Sequence, residues 1–464
     1  MNYISTRGTA PELGFEDVLL TGLARDGGLY VPETWPDLAV GEIKSFAGMP
    51  YHAVASRVMA PFADGIEADA FADIVRATYA VFDHHSVAPL RQLGPNEWLM
   101  ELFHGPTLAF KDVAMQLLAR LFEHVLARRS QRLTIVGATS GDTGAAAIEA
   151  FRDRAGIDVV ILHPRDRVSE VQRRQMTTVT AANVHNIAVQ GTFDDCQALL
   201  KAMFNDMAFR DEIALSAINS INWARVLPQA VYYFTAAAAL GGPERPVAFC
   251  VPTGNFGDVY AGYVAAAMGL PVERLVVATN RNDILHRFFQ TGEYRVGEVH
   301  ATQSPSMDIQ VASNFERLLF DLVGRDGVAV SAYMRDLSAN GGFAIEAARL
   351  ANTRALFDSG RADEAETTAM IGRVHAETGL LLDPHTAVGV AAARGRAPAD
   401  APVVVLGTAH PAKFPDAVEK ATGRRPDLPA RLADLYDREE RYAVLPNELA
   451  AIQAHIRGLI GGKA

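Results

Sequence analysis

The stretch Leu133-Thr-Ile-Val-Gly-Ala-Thr-Ser-Gly-Asp-Thr-Gly-Ala-Ala-Ala-Ile-Glu-Ala-Phe-Arg-Asp-Arg-Ala-Gly-Ile-Asp-Val-Val-Ile-Leu162 reads as strand, loop, helix and strand. Leu133–Ala138 is the first strand and Thr139–Gly144 a polar loop. Ala145–Arg154 has helical composition, and Asp158–Leu162 is a β-branched run that stops at His163-Pro164. Two strands joined by a crossover helix form a βαβ unit, so the strands lie parallel.

The alternation extends in both directions. Upstream, apolar residues at 114, 117, 118, 121, 122, 125 and 126 mark one face of an amphipathic helix over 112–129. It closes on Arg128-Arg129, cations suited to a helix C-terminus. Downstream, the pattern predicts helices near 168–179, at 194–207 and over 223–240, with a strand near 184–189. Strands at 247–251 and 275–279 flank a helix at 258–268, and Val403–Leu406 is a late apolar strand. Residues 281–380 read as mostly helix and loop. The whole is an α/β fold with parallel sheets flanked by helices. Residues 1–92 differ: turn signals such as Asp26-Gly-Gly-Leu-Tyr-Val-Pro32 separate short helical patterns, as expected of a small N-terminal domain. The main region is expected over 93–424, and 425–464 reads as a polar loop and a C-terminal helix.

Composition excludes some functions. A formal charge of −11 argues against nonspecific nucleic-acid binding. No uncharged stretch is long enough for a membrane span. The start, Met-Asn-Tyr-Ile-Ser-Thr-Arg-Gly, has no basic segment followed by an apolar core, so a soluble cytoplasmic protein is expected. Cys196 and Cys250 have no metal-ligand spacing and read as inert core thiols; no metal is expected.

Candidate chemistry centres on Glu101-Leu-Phe-His-Gly-Pro-Thr-Leu-Ala-Phe-Lys-Asp112. The chain has only six lysines among its 43 basic residues, and most of the others sit in polar surroundings. Lys111 instead stands in an apolar loop. A desolvated lysine amine can form a Schiff base, which arginine cannot do. Two loops could bind anions. Val251-Pro-Thr-Gly-Asn-Phe-Gly-Asp258 joins a strand to a helix, where free amides can meet a phosphate; the alternative is a tight turn capped by Asp258. Thr139-Ser-Gly-Asp-Thr-Gly144 is either an N-cap cluster or a carboxylate or phosphate site. Asn219-Ser-Ile-Asn-Trp-Ala-Arg225 is either a capped helix start with a solvated arginine or an anion grip. Thr408, after the last strand, could contact a cofactor, since ligands bind at carboxyl ends of parallel strands. His410 and Lys413 read as ordinary loop residues, and Asp383-Pro-His-Thr386 is ambiguous in the same way. One special lysine, two potential phosphate cradles and no metal cluster suggest pyridoxal 5′-phosphate with a phosphorylated substrate.

Long motifs then carry a resemblance over nearly the whole chain. They are Tyr3-Ile-Ser-Thr-Arg-Gly8, Gly22-Leu-Ala-Arg-Asp-Gly-Gly-Leu-Tyr-Val-Pro32, His104-Gly-Pro-Thr-Leu-Ala-Phe-Lys-Asp112, Ala138-Thr-Ser-Gly-Asp-Thr-Gly144, Pro252-Thr-Gly-Asn-Phe-Gly-Asp258 and Thr408-Ala-His-Pro-Ala-Lys-Phe414. In this order the chain resembles the threonine synthase family, in its longer bacterial and fungal branch. The resemblance implies a two-lobed fold type II pyridoxal-phosphate enzyme of the tryptophan synthase β-like superfamily, with an N-terminal domain. It implies that Lys111 is the Schiff-base lysine and the base at the substrate Cα. Gly254, Asn255, Phe256 and Gly257 would give amides to the cofactor phosphate. Thr408 would face the pyridine nitrogen, where a neutral hydroxyl cannot hold a protonated ring as a carboxylate would. Asp142 would lie beside the cofactor's 3′-oxygen, where shorter relatives carry asparagine, so a proton shared between the oxygens or another rotamer is required. Thr139, Ser140 and Thr143 would surround the substrate carboxylate and phosphate, and Asn219, Ser220 and Arg225 would hold the substrate phosphate. The implied reaction converts O-phospho-L-homoserine and water to L-threonine and phosphate, a lyase reaction of threonine biosynthesis. A phospholyase and a serine/threonine dehydratase share fold and cofactor; a dehydratase needs no phosphate grip, and a phospholyase releases a 2-oxo acid. A catalytically dead binding protein would have lost the lysine. A monomer or weak homodimer is expected.

Overall fold

Parallel strands organise the chain as the central motif predicts. The structure, a computed structural model, describes residues 1–216, 220–396, 398 and 400–460. Leu133–Ala138 pairs in parallel with Ile157–Pro164, and the helix between them is Asp142–Phe151. The helix starts three residues before the predicted Ala145. The cause is Thr139, whose hydroxyl oxygen accepts the amides of Gly141 and Gly144 at 3.0 and 2.9 Å and so winds the loop into a first turn.

Five strands complete this sheet, in the order Ala443–Pro446, Val184–Gln190, Ile157–Pro164, Leu133–Ala138 and Leu215–Ser216, all parallel. Ile157–Pro164 is buried along its full length, as a strand covered on both faces must be. The sheet belongs to one compact unit, residues 106–219 with 427–464. The C-terminal stretch is thus more than a loop and a helix. Ala443–Pro446 adds an edge strand, and the Leu449–Ile460 helix sends Ile452 and Ile456 into a core shared with Cys196, Leu199 and Met203. Four residues flanked by charges gave no strand signal; their pairing with Val184–Gln190 makes the strand.

The other unit comprises residues 1–105 and 220–426. Its six-stranded sheet runs Phe357–Arg361, Val272–Thr279, Val247–Pro252, Val403–Gly407, Glu97–Glu101, Leu90–Gln92. All neighbours are parallel except the last pair. The edge strand Phe357–Arg361 lies where helix and loop were expected. Phe-Asp-Ser-Gly-Arg carries no β-branched residue, so ladder pairing with Leu275–Thr279 overrides local propensity. At the N-terminus, Tyr3–Ser5 pairs antiparallel with Tyr30–Pro32. Tyr3, Trp35 and Phe62 ring the fully buried Trp223 at 6.1, 6.0 and 5.8 Å. Both cysteines are buried, in different cores, and burial pushes the Cys196 thiol up to about 12 and Cys250 well above its ordinary value. No helix among the described residues is long and apolar enough to cross a membrane.

Candidate active site

In the first unit the lysine loop is tied down before it reaches Lys111. Asp112 is fully buried and accepts the Thr107 amide and hydroxyl, both at 2.7 Å. These bonds close the turn in which Leu108 takes φ 64°. Lys111 then opens the Lys111–Arg129 helix, with Nζ 3.3 Å from Asp142 Oδ2 and 5.0 Å from the Phe110 ring centre. A cation at the first position of a helix opposes the macrodipole, and the Asp142 carboxylate offsets that penalty. The helix departs from the single apolar face read from the sequence. Val113, Met115, Gln116 and Ala119 are buried as well, so its first half is enclosed all round.

Asp142 is the first residue of its own helix and is buried. Its Oδ1 accepts Gln172 Nε2 at 2.8 Å. Thr139 is buried and its hydroxyl oxygen ties the loop together, while the N-cap position of the helix is Gly141, which has no side chain to cap with. Ser140 is exposed and Thr143 half-buried. Lys111, Asp142 and the hydroxyl loop therefore come together in one unit.

The second unit carries the other anion candidate. The Gly257–Ala267 helix begins at Phe256, which takes φ 64° and supplies no side-chain cap. A left-handed residue at a helix start turns successive amides toward one point, the geometry that holds anions. The strain of that conformation in a bulky residue, about 1–2 kcal/mol, is offset by packing of the Phe256 ring on Phe315 at 5.4 Å and near Phe357 and Phe289. A Cβ on Gly254 would stand 2.4 Å from the Ser306 carbonyl oxygen, so only glycine fits. Asn314, fully buried, pins the turn: its amide and its Nδ2 both donate to the Asn255 carbonyl at 3.1 Å. The donor set, backbone amides without a competing carboxylate, fits a phosphate.

Asp258 does not cap the turn. Its buried carboxyl accepts from the Tyr232 and Tyr233 hydroxyls, the latter at 3.1 Å. Burial pushes it up to about 7, against the lowering effect of both tyrosines.

Thr408 stands just past the Val403–Gly407 strand, and its amide donates to Thr386 Oγ1 at 3.2 Å. Thr386 Oγ1 in turn donates to Asp383, which also caps the Pro384–Arg394 helix. His385 Nδ1 lies 2.8 Å from Asp383 Oδ1, and Nε2 accepts the Ser306 amide at 3.2 Å, so Nδ1 carries the hydrogen. The ambiguous Asp383–Thr386 turn is thus a buried polar network beneath Thr408. His410 Nδ1 accepts the Ala412 amide, an ordinary cap. Lys413 is fully buried at the end of the short Pro411–Lys413 helical turn, which corrects its reading as an ordinary loop residue. Arg225 lies in the first turn of the Trp223–Ala239 helix, capped by Asn222. The cap agrees with expectation; a solvated arginine does not, because Arg225 is buried. Ser220 gives its carbonyl to Asn314 Nδ2 at 3.1 Å, and Asn219 lies outside the described residues.

The sequence gives no sign of Gln172 or Asn314, and it leaves the Asp383–Thr386 turn ambiguous. Asp-Pro before a helix is a legible N-cap signal for the last of these. Gln172 and Asn314 act through contacts distant in sequence and leave no local trace.

Comparison with known proteins gives the following. The family model for the threonine synthase N terminus matches residues 2–79, that for pyridoxal-phosphate dependent enzymes residues 81–359, and that for the threonine synthase C-terminal region residues 386–456. A threonine synthase of Pseudomonas aeruginosa is 60% identical, with 98% of each chain covered. The crystal structure of pyridoxal-phosphate-bound threonine synthase from Brucella melitensis superposes with a TM-score of 0.97 at 56% identity, covering 99% of both chains. Threonine synthase from yeast superposes with a TM-score of 0.94 at 36% identity, again covering 99% of both chains.

Proposed function

This chain belongs to the threonine synthase family of pyridoxal-phosphate enzymes, and from that premise we propose how its own residues run the reaction. The activity is conversion of O-phospho-L-homoserine and water to L-threonine and phosphate, with pyridoxal 5′-phosphate as cofactor. The cofactor supplies an aldehyde for the amine and a ring that draws electrons from the substrate Cα. The observation that supports the assignment best is Lys111 itself, a lysine fixed by the Thr107–Asp112 turn and paired with buried Asp142.

Lys111 would hold the cofactor through its aldehyde and, once its amine is free, would serve as the base for the proton on the substrate Cα. Asp142 receives the charge of the Lys111 nitrogen. The amides of Gly254, Asn255, Phe256 and Gly257 hold the cofactor phosphate, and Gly254 permits the backbone to approach it. Thr408, held by Thr386, would be the neutral partner of the ring nitrogen. Thr139 keeps the hydroxyl loop wound, and Thr139, Ser140 and Thr143 would lie around the substrate carboxylate and phosphate. Ser220, Asn219 and Arg225 take the substrate phosphate. A buried guanidinium suits that task, because charge-assisted hydrogen bonds strengthen away from water. Proton loss at Cβ lets the phosphate leave Cγ, a proton is delivered to Cγ to make the methyl group, and water then adds with its hydroxyl on Cβ and a proton returned to Cα.

We also propose that the protein works in the cytoplasm as a monomer or weak homodimer, and that its functional segments are 1–92, 93–424 and 425–464. The test is product analysis of the cofactor-loaded protein on O-phospho-L-homoserine. Equal amounts of threonine and phosphate are expected. Phosphate with 2-oxobutyrate would make it a phospholyase and overturn the water-addition step.

A further inference from the structure

Asp142 divides its two oxygens between two partners. Oδ2 lies 3.3 Å from Lys111 Nζ, and Oδ1 accepts Gln172 Nε2 at 2.8 Å. Both Asp142 and Gln172 are more than nine-tenths buried. The orientation of the Gln172 amide is set from its other side. Ser169 Oγ accepts the Gln172 backbone amide and donates its hydrogen to Gln172 Oε1 at 2.8 Å. A flipped amide would set Oε1 against the Asp142 carboxylate, oxygen against oxygen.

The backbone makes room for this amide. Gly141 takes φ 145°, and a Cβ there would lie 2.6–2.8 Å from the Gln172 side-chain amide atoms. The helix that carries Gln172, Glu170–Thr177, is anchored separately. Arg173 forms a bidentate pair with Glu440 at 2.8 and 3.0 Å, and Thr177 Oγ1 reaches the same carboxylate at 2.7 Å. Ser169, Gln172, Asp142 and Lys111 thus form one chain of contacts within a single unit.

We propose that Gln172 is a positioning residue for the Lys111 nitrogen, acting through Asp142. An N–H donor on Oδ1 is matched to the carboxylate form and leaves Oδ2 aimed at the lysine. Asp142 then works as an anion that holds the proton on the lysine-derived nitrogen. The inference rests on Lys111 being the cofactor lysine.

The test is the pH midpoint of the cofactor's visible absorbance in the holoenzyme. In Gln172→Leu the midpoint should fall by about one pH unit, because the neighbouring negative charge is no longer secured. Turnover should fall about tenfold with KM little changed, since the substrate's own contacts remain. Asp142→Asn should lower the midpoint too, and Gln172→Leu added to it should shift it no further. Ser169→Ala, on an exposed cap, frees the amide to flip and should give a smaller shift of the same sign, which keeps the test open if the leucine variant folds poorly. An unchanged midpoint in these variants, or additive shifts from Gln172→Leu and Asp142→Asn, would overturn the proposal. Borohydride fixation of the cofactor to a lysine other than Lys111 would instead overturn the reading beneath it, whatever the Gln172 variants do.

Discussion

Asp258 shows how far a single residue can depart from its sequence reading. A carboxylate at a helix start is ordinarily a cap, favoured by the macrodipole. Here burial among Tyr232 and Tyr233 raises the group from its ordinary value to about 7. A group raised on folding holds its proton more tightly in the native state. Its contribution to stability is full below pH 4 and is lost as pH climbs to 7. Across that window the loss is on the order of 4 kcal/mol, about 1.4 kcal/mol per pH unit. Asp258→Asn should therefore flatten the pH dependence of the denaturant midpoint between pH 4 and 7, and equal slopes in the two proteins would contradict this. With its carboxyl turned to the two tyrosine hydroxyls, Asp258 does not compete for the adjoining amides.

At the scale of elements, Asn314 joins pieces that sequence reading kept apart. Its amide groups hold the Asn255 and Ser220 carbonyls, and its Oδ1 accepts from the fully buried Arg317. Arg317 also reaches the Tyr30 carbonyl at 3.0 Å, so the N-terminal strand pair braces the same turn. Asn314→Ala leaves buried donors and acceptors unpaired. It should cost about 2–3 kcal/mol of stability and weaken cofactor binding, measured by titrating the apoprotein with cofactor. A variant that loses stability but binds cofactor normally would separate Asn314 from the turn. Legibility follows the same division. The βαβ unit, the Lys111 helix and the Gly254–Gly257 turn were readable because periodicity and glycine spacing are local. Phe357–Arg361 and Ala443–Pro446 were not, because partner strands make them strands. The anion loops were recognisable as loops, yet their residues divide between building the turn, as Thr139 does, and standing open at it, as Ser140 does, and only geometry separates the two.

In the whole molecule the chain is regrouped. Residues 427–464 return to the sheet of 106–219, and residues 1–105 join 220–426. Core formation explains the first regrouping, because Ile452 and Ile456 complete an apolar cluster that 106–219 leaves open. The residues to which the proposed mechanism gives roles are spread in the same way. The lysine, its carboxylate partner and the hydroxyl loop belong to one unit, while the phosphate turn, Thr408 and Arg225 belong to the other. The proposed role of Lys111 as the cofactor lysine has a rival in Lys413, the more deeply buried of the two. It is tested most directly by reducing the cofactor-loaded protein with borohydride and mapping the modified peptide by mass. The phosphopyridoxyl group should be found on Lys111, with no stable label in Lys111→Ala. A label on Lys413, or one retained in Lys111→Ala, would contradict it.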